Sequence, residues 1–295
     1  MMKIALFENF GKIQALQCAE ISAEKLISFG AEIAATPKML TSFSSDIRNK
    51  IIPLEFHDYE KYADVVISFG GDGNMLSAGR LLLGTEVPIM GVNVGRLGFL
   101  AEFTIKGLDK SLRDLYEGNY RLVDRSVFEL EYNGEKFFAL NDFVLEKSDT
   151  PHMITVQAYT NNHFIGDYRV DGIIITTPTG STAYSLSCGG PIIAPSAKVI
   201  CLTPISPHSL TLRPLVVPDS NDVRLDLLSA ENGANLVADG QIVVKMKKNE
   251  SVTIRQSSSE VKLIKPVDST YYDLLRAKLL WATNAEDFNG KSTNF

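Results

Sequence analysis

The sequence predicts an α/β N-terminal domain built on a Rossmann-like parallel sheet, followed by an all-β, sandwich-like C-terminal domain and a C-terminal helix that returns to the first domain. Three observations carry this. Up to about residue 120, short apolar runs alternate with stretches of helical periodicity. Beyond it the texture changes to short alternating segments rich in Val, Ile, Phe and Thr, separated by turn signals. The tail then regains a helical spacing. The expected division is residues 1–121, 122–267 and 268–295.

In chain order, residues 3–7 read as a strand, and Ile13, Leu16, Ile21, Leu26 and Ile27 as a helix stopped by Gly30. Residues 64–69 are a second strand that runs into Gly70-Gly71-Asp72-Gly73, with a helix over 74–83 behind it. Residues 87–93 form a buried-type strand, and Leu108, Leu112 and Leu115 mark a helix ended by Gly118. Asn133-Gly134 between residues 127–132 and 136–140 is a two-residue hairpin signal. Further strands are expected over 154–160, 172–177, 199–204, 223–228, 236–238, 252–255 and 261–264. In the tail, Tyr272, Leu275 and Leu279 share one helical face.

Composition narrows the function classes. A chain of 295 residues can build two hydrophobic cores, and 45% hydrophobic with 22% charged residues is an ordinary globular balance. A net charge of −6 with no Lys/Arg cluster argues against a nucleic-acid partner. Cys18, Cys188 and Cys201 are odd in number and form no Cys-x-x-Cys pair, which points to a reducing compartment and away from a zinc site. The apolar start is cut off by Glu8, and no run reaches bilayer-spanning length, so the expectation is a cytoplasmic protein without a membrane partner. The histidines, His57, His152, His163 and His208, have no metal-ligand spacing, and no Gly-x-Ser-x-Gly elbow is present.

Three segments can carry chemistry. Glycines after a strand let a backbone approach phosphate at a helix N-terminus, but Leu76 stands where a dinucleotide fingerprint needs its third glycine, and no Walker pattern exists. Asp72 in that loop repels an anion unless it binds metal or accepts a proton from an attacking hydroxyl, both of them tasks of phosphoryl transfer; a tight turn with a self-bonded Asp is the alternative. The second segment is a run of apolar residues, Ile173 to Ile175, that empties into Thr176, Thr177, Thr179, Ser181, Thr182, Tyr184, Ser185 and Ser187. These groups suit ribose and base edges, or equally a loop capping a helix at Ser181 or Thr182. The third is Asn141-Asp142, two polar residues inside an apolar run, which need either a ligand or a turn to satisfy them.

Taken together the chain resembles the NAD kinase family. The resemblance lies in Gly70-Gly71-Asp72-Gly73-Asn74-Met75-Leu76, Gly91-Val92-Asn93, Gly95-Arg96-Leu97-Gly98-Phe99-Leu100, Ala139-Leu140-Asn141-Asp142, Asp171-Gly172, residues 177–187, Ile205-Ser206-Pro207-His208, Arg213-Pro214 and Asp239-Gly240-Gln241. Gly-Gly-Asp-Gly is shared with diacylglycerol-type lipid kinases and phosphofructokinases, so the hydroxyl-rich segment makes the distinction. Val170 and Cys188 stand where that family commonly has glycine and alanine. The resemblance implies transfer of the γ-phosphoryl group of ATP to the 2′-hydroxyl of the adenosine ribose of NAD, with Asp72 as proton acceptor and Mg²⁺ held mainly by the ATP phosphates rather than by protein ligands. It implies substrate contacts from Asp72, Gly73, Phe99, Asn141, Asp142, Arg169, Asp171, Thr179, Thr182, Ala183, Tyr184, Ser187, Ile205 and Gln241, with Arg213 a further phosphate candidate, and a homodimer or homotetramer. The rival readings are a lipid kinase, which this acidic chain does not favour, a sugar kinase, and a dinucleotide sensor, which would have no use for Asp72.

Overall fold

The computed structural model describes residues 1–8 and 11–281, without the side chains at 242 and 243. The chain divides into two compact units: one comprises residues 1–78, 87–123 and the segment from 263 onward, the other residues 79–86 and 124–262. Both are discontinuous, and three elements change unit partway along: the helix Asp72–Leu81 and the strands Arg121–Tyr132 and Ser251–Lys265.

In the first unit a parallel sheet runs in the order Ile89–Asn93, Val65–Phe69, Lys3–Phe7, Glu32–Ala35, Ile52–Pro53. Leu263 and Ile264 pair in parallel beside Ile89 and Met90, and Phe103–Thr104 beside Val92 and Asn93. The order reverses between Lys3–Phe7 and Val65–Phe69, so the carboxyl ends of those two strands form a topological switch point, where open α/β sheets bind ligands. Val65–Phe69 and Ile89–Asn93 are buried throughout, as strands covered on both faces must be. The helix Ile13–Ser28 ends at Phe29 and Gly30 (φ 96°), and Leu108–Glu117 ends at Gly118 (φ 78°), each glycine taking the left-handed conformation that closes a helix. Ile4, Leu6, Leu26, Ile67, Phe69, Val92, Leu112 and Ile264 lie in one core.

In the second unit the strands of the two arrays pair antiparallel. One sheet runs Leu215–Pro218, Val199–Ile205, Gly172–Thr176, Asp142–Lys147, Ala234–Ala238, Gln241–Met246. Another array contains His163–Val170, Ile154–Thr160, Val223–Ser229 and the first part of Ser251–Lys265. Arg121–Tyr132 and Glu135–Ala139 form the hairpin signalled by Asn133-Gly134, whose φ values of 52° and 83° suit a turn matched to strand twist. Phe128, Phe143, Ile173, Ile200, Leu225 and Ile254 come from both arrays into one core, so the sandwich-like expectation holds.

Several boundaries differ from the sequence reading. The helix expected over 74–83 is Asp72–Leu81, starting on the acid itself. Glu32–Ala35, Ile52–Pro53, His163–Val170, Leu215–Pro218 and Gln241–Met246 are additional strands, and residues 252–255 and 261–264 belong to a single strand, Ser251–Lys265. The polar run Gln256–Glu260 hides that continuity, because half-exposed strand residues give no apolar signal. Neither Ser181 nor Thr182 caps a helix: Thr179–Thr182 is a 3-10 turn followed by the one-turn helix Tyr184–Ser187, without a side-chain cap. The tail helix, Tyr271–Leu279, sits in the first unit and buries Leu274 and Leu275, while Tyr272, expected on the packed face, is 63% exposed. Among the described residues no helix is long and apolar enough to cross a membrane.

Candidate functional site

In the first unit the chain leaves the buried strand Val65–Phe69 through Gly70 (φ 154°), where a Cβ would lie 2.9 Å from that of Asn74. Asn74, itself buried, donates from Nδ2 to Ser68 Oγ (2.9 Å) and to the carbonyls of Phe69 (3.0 Å) and Phe7 (3.4 Å), tying the glycine turn to both strands of the switch point. Asp72 opens the helix, where the helix dipole favours a carboxylate. Its oxygens accept three backbone N–H bonds from the loop after Ile89–Asn93: Phe99 to Oδ2 (2.8 Å), Leu100 to Oδ1 (2.9 Å) and Ala101 to Oδ1 (3.2 Å). The turn is therefore not closed by a self-bonded Asp. Gly98 passes so near that a Cβ there would stand 2.0 Å from Asp72 Oδ1. Gly73 is exposed, and a Cβ at that position would meet nothing within 4 Å, leaving the first turn of the helix open to an approaching group. The Phe99 ring lies under the Lys278 ammonium, 5.0 Å from its centroid.

In the second unit Asn141 lies between Glu135–Ala139 and Asp142–Lys147, and Asp142 begins the latter strand. The hydroxyl-rich segment bonds directly to them: Asn141's carbonyl accepts from Thr177 N–H (2.9 Å) and Thr176 Oγ1 (3.0 Å), and Leu140's from Thr177 Oγ1 (2.6 Å). Gly180 completes the contact, because a Cβ there would fall 2.2 Å from the Asn141 carbonyl oxygen. Two segments distant in sequence thus meet at one end of a sheet. Thr179 is buried, and its Oγ1 has no hydrogen-bond partner among the described residues, the condition of a group placed for a ligand or water. Thr182 Oγ1 bonds its own turn at Thr179 O, Ala183 is half-buried, and Tyr184 and Ser187 are exposed. Partial burial raises the Tyr184 hydroxyl above its ordinary pKa, with smaller contributions from Cys188, Glu146, Asp142 and Asp171.

Asp239, quoted in the sequence only as part of the Asp239-Gly240-Gln241 segment and given no role there, is the functional residue that the sequence left unassigned. It occupies the Asp239-Gly240 turn between Ala234–Ala238 and Gln241–Met246, with φ values of 45° and 78°. Its fully buried carboxylate accepts from the N–H groups of Leu140 (3.0 Å), Asn141 (2.7 Å) and Asp142 (3.2 Å). Arg80, at the far end of the helix that Asp72 begins, stands 3.7 Å from Asp239 and donates to Gln241 Oε1 at 2.6 Å. Burial and the neighbouring Asp239 push the Asp142 carboxyl up to about 7. Asp239 is also raised by burial, against the pull of its three amides and Arg80, so of the two carboxyls Asp142 is the one that takes up a proton near neutrality. The Asp-Gly dipeptide was legible as a hairpin turn; its use as a clamp on residues 140–142 depends on strands pairing across 97 to 99 positions.

The remaining expected residues are placed as follows. Asp171 pairs with Lys147 (2.8 Å), and its N–H bonds the carbonyl of Ile205, which is half-buried. Arg169 is exposed, its backbone carbonyl accepting from His208 N–H. Arg213 is occupied within its own loop by the carbonyls of Leu210 and Leu212, both at 2.7 Å.

A model of the ATP-NAD kinase N-terminal domain matches residues 4–120, and one of the ATP-NAD kinase C-terminal domain matches residues 140–266. The NAD kinase of Bacteroides fragilis is 35% identical over 289 residues, 96% of this chain and 99% of that protein. That of Heliobacterium modesticaldum is 36% identical over 288 residues, 95% and 99% of the two chains, and that of Solibacter usitatus 42% over 223 residues, 74% and 78%. In fold, the chain is similar to yeast NADH kinase complexed with NADH (TM-score 0.83, 22% identity, 100% of this chain and 90% of that one). It is also similar to an NAD kinase from Archaeoglobus fulgidus in complex with ATP (TM-score 0.73, 22% identity, 94% and 99%). With relatives this similar over nearly their whole length, the chain belongs to the NAD kinase family of phosphotransferases.

Proposed function

We propose that this chain transfers the γ-phosphoryl group of ATP to the 2′-hydroxyl of the adenosine ribose of NAD, giving NADP and ADP, with Asp72 as the general base. The observation that supports this most is the occupancy of the Asp72 carboxylate. A carboxylate offers about four acceptor positions. Oδ1 accepts two N–H groups and Oδ2 accepts one, so Oδ2 keeps a position for an incoming hydroxyl. As the ribose oxygen bonds to the γ-phosphorus and the bond to the leaving ADP oxygen breaks, Oδ2 takes the hydroxyl proton. Gly73 and the open first turn of the helix suit a phosphate group.

Asn141 and Asp142 bind the adenosine portion, and Thr179, Thr182, Ala183, Tyr184 and Ser187 line its pockets. Phe99, Asp171, Ile205 and Gln241 touch other parts of the dinucleotide. Arg169, which is exposed, contacts a phosphate, and Arg213 does so only if it gives up its loop carbonyls. Mg²⁺, held mainly by the ATP phosphates, enters as part of the MgATP substrate. The free thiols fit a reducing, cytoplasmic setting, and we expect two or four copies to assemble.

Purified protein given ATP, Mg²⁺ and NAD should form NADP. Asp72→Asn keeps the shape and removes the base, so turnover should fall by roughly 10²–10⁴-fold while NAD binding survives. Near-normal turnover in that variant would remove Asp72 from the chemistry, and NAD lacking its 2′-hydroxyl should bind without reacting.

A further inference from the structure

Lys265, the last residue of Ser251–Lys265, is a lysine buried in the first unit. Its ammonium lies 2.6 Å from Glu102 Oε1 and donates to the carbonyl of Leu100 at 2.9 Å. That carbonyl and the N–H of Ala101 belong to one peptide unit, and the Ala101 N–H donates to Asp72 Oδ1. A peptide is planar, with its C=O and N–H pointing in opposite directions. The group that grips one end therefore sets where the other end points. A cation on the carbonyl also polarises the peptide, strengthening the bond its N–H makes. Lys278 from the tail helix holds the same loop two residues upstream of Phe99, at the Leu97 carbonyl.

Stability alone does not account for this arrangement. A buried ion pair is often no better, and sometimes worse, than apolar side chains of the same volume, because both charges lose their hydration. The strand already has Ile264 for core packing. What Lys265 adds is a fixed orientation for one peptide.

We propose that Lys265, held by Glu102, is a positioning residue for phosphoryl transfer: through the Leu100–Ala101 peptide it fixes the Asp72 carboxylate so that Oδ2 faces the attacking hydroxyl. The inference rests on Asp72 being the base. Its test is the double variant Lys265→Met/Glu102→Leu, which replaces the ion pair with apolar groups and leaves neither charge buried without the other. The full-length variant should remain folded with a melting temperature within a few degrees of the parent's, the loss of a donor to the Leu100 carbonyl offsetting what removal of the buried ion pair gains. Its kcat should nevertheless fall by about 10–100-fold, with KM for ATP and NAD within about threefold, the loss expected when a reacting group is misplaced by a fraction of an ångström to an ångström. Lys265→Arg, which keeps the charge and a donor, should recover part of the rate.

Combining the double variant with Asp72→Asn separates the two failures. If Lys265 acts through Asp72, the double substitution should cost little further rate in the Asp72→Asn background. A stable double variant with full kcat overturns the positioning role, as does an undiminished loss in the Asp72→Asn background. A near-normal rate for Asp72→Asn alone overturns the base assignment instead.

Discussion

At the scale of single residues, the loop that faces Asp72 tolerates no side chain at position 98. A methyl group there would stand 2.0 Å from Oδ1 and 2.7 Å from Cγ of Asp72, so either the carboxylate or the loop must move. Gly98→Ala is expected to lower kcat by at least about tenfold, while circular dichroism reports intact secondary structure. Parental turnover would show that the contact is not needed for the chemistry. Asp142 makes a different prediction, one of stability. Its carboxyl is raised to about 7 by burial and by Asp239, whereas an unfolded Asp titrates near 4. The folded state therefore holds this proton more tightly than the unfolded chain does. Asp142 costs nothing below about pH 4, and its cost grows to its full value as pH rises through about 7, on the order of a few kcal/mol. Asp142→Asn should raise the melting temperature at pH 8, and by much less at pH 5. An equal gain at both pH values would mean that Asp142 is not a neutral acid in the fold.

At the scale of elements, the hairpin Ala234–Ala238/Gln241–Met246 does more than extend a sheet. Its turn supplies Asp239, and three buried amides depend on that one carboxylate. Asp239→Ala strands them at about 1–3 kcal/mol for each unpaired group, less whatever water recovers. The expected outcome is a strongly lowered melting temperature together with a raised KM for NAD. Asn141→Ala should separate the two effects, because the bonds that hold its backbone come from Thr176, Thr177 and Asp239 and survive the change. Its melting temperature should stay near that of the parent, while KM for NAD rises and KM for ATP moves much less. Unchanged NAD affinity in Asn141→Ala, measured by calorimetry, would leave the hydroxyl-rich segment alone to define the acceptor. The polar pair that interrupts an apolar run was visible in the sequence. That its backbone is satisfied by the protein, leaving the Asn141 side chain for another partner, was not, since the three groups that satisfy it come from two other segments.

At the scale of the whole molecule, the first unit is completed only by residues from the far end of the chain. Leu263 and Ile264 pair with Ile89 and Met90, Lys265 holds the Leu100 carbonyl, and Tyr271–Leu279 brings Lys278 to Leu97. A fragment of residues 1–123 should therefore melt earlier and less cooperatively than the same fragment joined by a short linker to residues 262–281. Identical melting curves for the two would show that the returning segment is not needed for the fold of that unit.

The sequence by itself determined the α/β and β halves, because helical and strand periodicities are local patterns that survive without knowledge of neighbours. It also carried the resemblance to the family, through the order of its motifs and above all the hydroxyl-rich segment, and it singled out the Gly-Gly-Asp-Gly acid, since a carboxylate in a phosphate-type loop is unusual wherever the loop sits. The tertiary structure alone decided which groups surround that acid. Phe99, Leu100 and Ala101 reach Asp72 from 27 to 29 positions away, and Lys265 holds the Leu100 carbonyl of the same loop from 165 positions away. In the second unit, Arg80 meets Gln241 across 161. Hydrogen bonds at such separations leave no periodic trace in the chain. They are set by strand order and register, which decide what lies beside a carboxylate once its helix is in place.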